Sequence, residues 1–270
     1  MARRPPGQPC FHRRTFALLV AYDGGAYKGW QPHPELPTVC GVLSASMHRA
    51  GVGATPFGAS RTDAGVHARA QVASFSTRAA VDPDELRERL NADLPTTLRV
   101  LAIREADSSF HSHWSSTGKI YRYRLSFAGA AAAWRLPSAR FPYASLDAER
   151  LAEALRLLEA APDVSAFATE REHGPDERKL TRAAIVSATA GEVLLEFAAA
   201  GFGKHLVRHL VAGAVGFAVG AYSQDDLSSM LAKRSPRPPR AEAEGLSLHR
   251  VLYPEALDPF PDLDRLAPPV

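Results

Sequence analysis

An α+β fold is predicted for this 270-residue chain: two ferredoxin-like βαββαβ halves, their sheets joined side by side and their helices on one face. Two observations predict it. Short apolar runs alternate with capped amphipathic runs in the order βαββαβ over residues 15–104, and the same order returns over residues 119–253. The length also suffices for two intimate halves. No sequence identity links them, so the repeat is one of pattern.

Each element carries its own signal. Residues 15–22 are an apolar strand. Residues 38–50 read as a helix: Thr38 caps it, Val39, Val42, Leu43 and Met47 share a face, and Gly51 stops it. Residues 57–60 and 71–76 are short strands. Asp82-Pro83-Asp84-Glu85 opens a second helix with a cap, an early proline and an acid three residues on. Leu86 and Leu90 form its inner side, and residues 99–104 close the first half as a strand. In the second half, residues 119–127 alternate: Ile120, Arg122 and Arg124 face one way, Tyr121, Tyr123 and Leu125 the other. Residues 146–160 are a helix with Leu151, Leu155 and Leu158 inward. Residues 180–188 and 193–198 are strands joined near Gly191, residues 204–219 a helix, and residues 247–253 a strand. The expected organisation is therefore a basic arm (1–14), a first half (15–110), a second half (111–254) and a C-terminal tail (255–270).

Composition narrows the class. The chain is 46% hydrophobic and 23% charged, as ordinary soluble globular proteins are. Its two cysteines, Cys10 and Cys40, have no metal or redox spacing, which suits a reducing cytoplasm. The basic start continues into Pro5, Pro6 and Pro9, so no signal peptide is expected. The longest apolar stretch, residues 206–222, contains Arg208 and His209 and reads as a buried helix, not a membrane span. A net charge of +3 permits nucleic-acid binding without demanding it. Basic residues cluster in the arm (Arg3, Arg4, His12, Arg13, Arg14) and between Lys233 and Arg240, whereas residues 255–264 are acidic. Such runs are ordinarily solvated surface, and they speak for RNA only beside a motif.

The motif lies in residues 57–75. An apolar run leads into Arg61-Thr62-Asp63, then Ala64-Gly65-Val66-His67, before apolar residues resume. In an extended triplet Arg61 and Asp63 share a face and Thr62 takes the other. Arg61 can then steer a polyanion towards the carboxylate. Gly65 allows a turn that lifts Asp63 out of the ladder. By spacing alone, an aspartate after threonine is more often a turn cap or a surface ion pair.

The segment Arg61-Thr62-Asp63-Ala64-Gly65-Val66-His67-Ala68 closely resembles the active-site segment of the tRNA pseudouridine synthase A family. Tyr22-Asp23-Gly24 with Gly29-Trp30-Gln31 resembles that family's opening motif. Asn91 to Pro95, Lys119 to Tyr123, Asp163 to Phe167, Phe202 with Leu206-Val207-Arg208, and Ala243 to Leu246 follow in the family's order, over residues 16–253. The resemblance implies the pseudouridine synthase fold and a cofactor-free isomerase of uridines 38, 39 and 40 in the tRNA anticodon arm. It implies a homodimer that grips one tRNA across both subunits. It also implies Asp63 as the catalytic residue, Tyr121 as the platform for the target base, Arg208 as a partner of Asp63, and Leu246 closing the pocket. Arg61 is expected to pair with Asp63 and contact a phosphate, and His67 to be a turn or phosphate-contact residue. Asp63 could attack ribose carbon 1 or base carbon 6, or remove the 2′ proton; the sequence does not choose.

Three positions depart from the family pattern. Ser60 stands where glycine is more usual, Cys40 replaces a glutamine, and His113 replaces an arginine that would contact phosphate. His205 and His209 have the i, i+4 spacing of metal ligands, but no glutamate lies between them and Arg208 adjoins, so no metal is expected. Two other functions compete. A non-catalytic RNA-binding protein would not need Asp63, Tyr121 and Arg208 together. A carboxylate-dependent hydrolase would need a second placed acid, which the motif does not supply.

Overall fold

The computed structural model describes residues 13–126, 139–140, 146–169, 179–189 and 191–267. Its strands are β1 (Arg14–Tyr22), β2 (Phe57–Gly58), β3 (His67–Thr77), β4 (Leu98–Ala106), β5 (Gly118–Ser126), β6 (Ala139–Arg140), β7 (Leu180–Thr189), β8 (Glu192–Ala199) and β9 (Leu246–Leu252). Its helices are α1 (Val39–Arg49), α2 (Pro83–Asp93), α3 (Ala148–Ala160), α4 (Leu206–Ala218), α5 (Gln224–Leu231) and α6 (Leu263–Leu266). These strands form one mostly antiparallel sheet in the order β4-β1-β3-β9-β5-β8-β7, with β2 on β3 and β6 on β5.

The first half reads β4-β1-β3-β2 and the second β9-β5-β8-β7, the same order within each half. This is the ferredoxin-like repeat expected from the sequence. The halves meet where β3 runs parallel to β9, with His67 opposite Ser247 and Ala68 opposite Leu248. β2 takes the other end of the same β3 edge, opposite Ser74 and Ala73. β2 stops at Gly58 rather than at Ser60, although the Ala59 N–H still donates to the Val72 carbonyl at 2.8 Å. The backbone of Ser60 instead bonds the side chain of Gln71, its N–H donating to Oε1 (3.2 Å) and its carbonyl accepting from Nε2 (2.7 Å). A side chain thus satisfies backbone groups that a strand partner would otherwise meet.

The helices follow their sequence signals. Thr38 caps α1 by accepting from the Gly41 N–H at 3.3 Å, and Asp82 caps α2 by accepting from Glu85 at 2.9 Å. The inner face of α1 is turned slightly from expectation: Cys40 is buried and Val42 only half-buried. Helix α2 packs on β4, and α3 on β7 and α4. Almost every residue of α4 is buried, as an all-round apolar helix must be. Fully buried side chains such as Phe16, Leu18, Leu19, Tyr123 and Phe197 fill the interior, each apolar one worth roughly 1.5–3 kcal/mol.

The expected arm and tail are described only in part. Arg14 belongs to β1, and its Nε donates to Glu105 at 2.7 Å; Arg3, Arg4 and His12 lie outside the described residues. The acidic segment folds back onto the sheet. Phe260 and Leu263 are buried, Asp262 accepts from Arg104 at 2.7 Å, and Asp264 lies 3.4 Å from Arg250 and 3.5 Å from Arg69. Helix α5 was not anticipated, although Ser223 and Asp226 form a reciprocal capping box at its start. Phe127, the expected end of β5, lies outside the described residues. Among the described residues no helix is long and apolar enough to cross a membrane.

Candidate active site

The loop from Ala59 to Val66 connects β2 to β3 and enters β3 at His67, where the two halves join. Its alternation is the expected one: Arg61 is exposed, Thr62 buried and Asp63 partly buried. Thr62 is held on both sides, its Oγ1 lying 2.8 Å from the Tyr22 hydroxyl and its carbonyl accepting from the Trp30 N–H at 3.0 Å. Gly65 has φ +82° and the Val66 N–H returns to the Asp63 carbonyl at 3.1 Å. The turn lifts the Asp63 side chain off the backbone ladder, as Gly65 led us to expect. Gly24 is needed for close approach: a Cβ there would lie 2.0 Å from the Val66 carbonyl oxygen. The opening motif around residues 22–31 is therefore the bed on which the Asp63 loop lies.

Tyr121, on β5, is 5% exposed and sits opposite Leu248 of β9. Its ring meets Phe202 edge-on at 5.1 Å, and its hydroxyl lies 2.8 Å from Ser60 Oγ. Burial first, with Asp63 adding to it, pushes the phenol up to about 12, so it keeps its proton at neutral pH. From Ser60 a chain of hydrogen bonds runs through Gln71 to Tyr22 and Thr62. Ser60, a departure from the family pattern, is thus the link between Tyr121 and the aspartate loop.

The partners of Asp63 differ from expectation. Arg61 is exposed and forms no ion pair with Asp63 among the described residues. Arg208 does not pair with it directly either; its Nε donates to the Ala241 carbonyl at 2.6 Å. Burial lowers the Arg208 pKa, while Asp63, acting at longer range, raises it. The group beside Asp63 is His205, with Nε2 3.5 Å from Oδ2. Arg208 is fixed by a backbone carbonyl because α4 runs past the 238–243 segment, whereas His205 stands at the helix start and projects towards the loop.

His205 has further neighbours. Its Nδ1 is 2.9 Å from Thr169 Oγ1, and Arg240 Nη1 lies 3.2 Å from Nε2. Burial lowers its pKa most; Asp63 raises it, and Arg240, Arg208 and Lys204 lower it. His209 turns elsewhere, its Nδ1 lying 2.7 Å from the Pro238 carbonyl. The two imidazoles spaced like metal ligands therefore take different partners, and no group of three metal-ligating side chains occurs among the described residues.

The remaining expected residues divide. His67 is buried at the start of β3, where its Nδ1 accepts from the Gly24 N–H at 3.1 Å. It serves the turn, and its burial removes it from phosphate contact. Burial also lowers its pKa, against the pull of Asp23. Leu246 opens β9 opposite Tyr123 and is 6% exposed. It shares the Tyr121 face of the sheet, because Tyr121 and Tyr123 alternate onto one side. His113 holds the Ala59 carbonyl through Nδ1 at 2.8 Å, bracing the loop base. Sequence reasoning passed over Gln71, Thr169 and Arg240. Only the Lys233–Arg240 basic run hinted at the last, and it did not say that Arg240 alone would reach His205.

A family model described as tRNA pseudouridine synthase matches residues 154–254. The chain is 33% identical to tRNA pseudouridine synthase A of Geobacillus kaustophilus over 239 residues, covering 87% of this chain and 93% of that protein. It is 34% identical to the Moorella thermoacetica protein of the same name, covering 87% and 98%. With the Solibacter usitatus protein of that name it shares 32% identity over 89% of this chain and the full length of the relative. Similarity of this extent, over a sheet with the repeated order and an aspartate loop at its junction, shows that the chain belongs to the tRNA pseudouridine synthase A family.

Proposed function

We propose that this protein isomerises uridine to pseudouridine at positions 38, 39 and 40 of the tRNA anticodon arm, with Asp63 as nucleophile and no cofactor. The carrying observation is the Asp63 carboxylate, 31% exposed on a glycine turn, on the same loop whose Ser60 hydroxyl lies 2.8 Å from the buried Tyr121 hydroxyl. The bond between uracil N1 and ribose carbon 1 breaks, the base turns, and its carbon 5 bonds to the same ribose carbon. The carbon 5 proton leaves and N1 gains one. Atoms and electrons balance, so no redox group is required. A carboxylate beside an aromatic platform supplies the nucleophile and a place to hold the detached base.

Exposed Arg61 and the Lys233–Arg240 run fit recognition of the tRNA backbone and shape, because double-helical RNA hides its base edges. The active species on this reading is a cytoplasmic homodimer with one tRNA across both subunits. The test is release of tritium from tRNA carrying 5-tritiated uridine. Wild type should release label from the anticodon arm; Asp63→Asn should bind tRNA as before and release none. Label released by Asp63→Asn at more than about a hundredth of the wild-type rate would refute the role of Asp63.

A further inference from the structure

His205 carries features that helix capping does not explain. It occupies the N-cap of α4 with φ +63° and makes no side-chain cap hydrogen bond. Histidine is not among the favoured cap residues, and the left-handed region costs a non-glycine residue on the order of 1 kcal/mol. Such strain persists only where the surroundings hold the residue in place. Here they do: the backbone carbonyl of the neighbouring Lys204 accepts from the Thr169 N–H at 2.9 Å, and Thr169 Oγ1 is 2.9 Å from His205 Nδ1. The conformation aims Nε2 at Asp63 Oδ2, 3.5 Å away, with the imidazole only 12% exposed. The other carboxylate oxygen, Oδ1, has no hydrogen bond among the described residues.

We propose that His205 is a positioning residue: its Nε2–H holds Asp63 Oδ2, so that Oδ1 is presented to the target nucleotide. The Thr169 hydroxyl, 2.9 Å from Nδ1, can donate there, and that arrangement puts the ring proton on Nε2, facing the carboxylate. Arg240 Nη1, 3.2 Å from Nε2 and 3.5 Å from Nδ1, lies over the ring face rather than in line with either nitrogen, and with Arg208 it makes a positive surrounding that disfavours a second ring proton. A neutral donor orients Asp63 without fully pairing its charge, which leaves the free oxygen reactive. The 3.5 Å separation belongs to the free enzyme; such contacts commonly tighten when substrate enters.

The proposal rests on Asp63 being the catalytic group, and the test separates the two. His205→Gly removes the imidazole and relieves the backbone strain together. Its melting temperature should equal or exceed that of wild type, while kcat in the tritium-release assay falls about tenfold or more, the scale of a misoriented catalytic group. The KM for tRNA should stay within about twofold on this reading, because Oδ2 is not an RNA contact. Added imidazole should restore part of kcat, and His205→Gln, whose amide reaches the carboxylate, should be faster than His205→Gly. A His205→Gly enzyme with wild-type kcat, or one with raised KM alone, overturns the positioning role. Turnover by Asp63→Asn, measured beside it, would instead overturn the reading of Asp63.

Discussion

Removing the Ser60 hydroxyl should destabilise the protein through Tyr121. The two oxygens are 2.8 Å apart, and the residues are 8% and 5% exposed, so water does not readily replace either partner. Ser60→Ala deletes the bond and leaves the buried Tyr121 hydroxyl unpaired, which costs about 1–3 kcal/mol. Tyr121→Phe leaves Ser60 Oγ unpaired at a similar cost. The double substitution removes both polar groups, so its loss should fall short of the sum by about 1 kcal/mol or more. The Tyr121 ring keeps its edge contact with Phe202 in every variant, so packing cancels around the cycle. Urea unfolding followed by circular dichroism gives the four midpoints, with m expected to be unchanged. Additive losses would show that the contact contributes nothing specific and that Ser60 does not couple the loop to β5.

Three other outcomes are expected. Gly65→Ala forces a side chain into φ +82° with its Cβ 3.0 Å from that of Ala243; it should cost about 1–2 kcal/mol and slow tritium release, whereas wild-type rates would show that the turn does not position Asp63. Arg104 holds the Asp262 carboxyl below its ordinary 3.8, so the pair's stabilisation is present above that value and is lost as pH falls through the folded one. Asp262→Asn should therefore flatten the fall in urea midpoint between roughly pH 5 and pH 2, and an unchanged acid limb would exclude the pair as its source. Arg61→Ala should weaken tRNA binding and reduce the slope of log affinity against log salt by about one, while an unchanged slope would mean that exposed Arg61 contacts no phosphate.

Much of the fold was legible because local chemistry determined it. Thr38 and Asp82 cap the helices they were expected to cap, and Leu86, Leu90, Leu151, Leu155 and Leu158 face inward. The repeated element order sufficed for two ferredoxin-like halves. The Asp63 turn was readable too, since Gly65 supplies a backbone conformation that other residues resist. Helix α5 was missed although its capping box stands in the sequence, because the segment's apolar residues are few.

The tertiary structure alone decided what Asp63 touches. Arg61, two residues away, points to solvent, and Arg208 is drawn to the Ala241 carbonyl. His205, far along the chain, reaches the carboxylate because β3 and β9 join the halves and a strained backbone turns its ring. The Ser60 backbone went to the Gln71 side chain rather than to a strand partner. The β3–β9 junction buried His67 at the seam, and the acidic segment folded back where Arg104, Arg69 and Arg250 meet its carboxylates. Propensity and capping act within a few residues of chain and can be read from sequence. Which charges pair, and which hydroxyl meets which ring, depends on packing between segments far apart in the chain, and sequence spacing carries no measure of that distance.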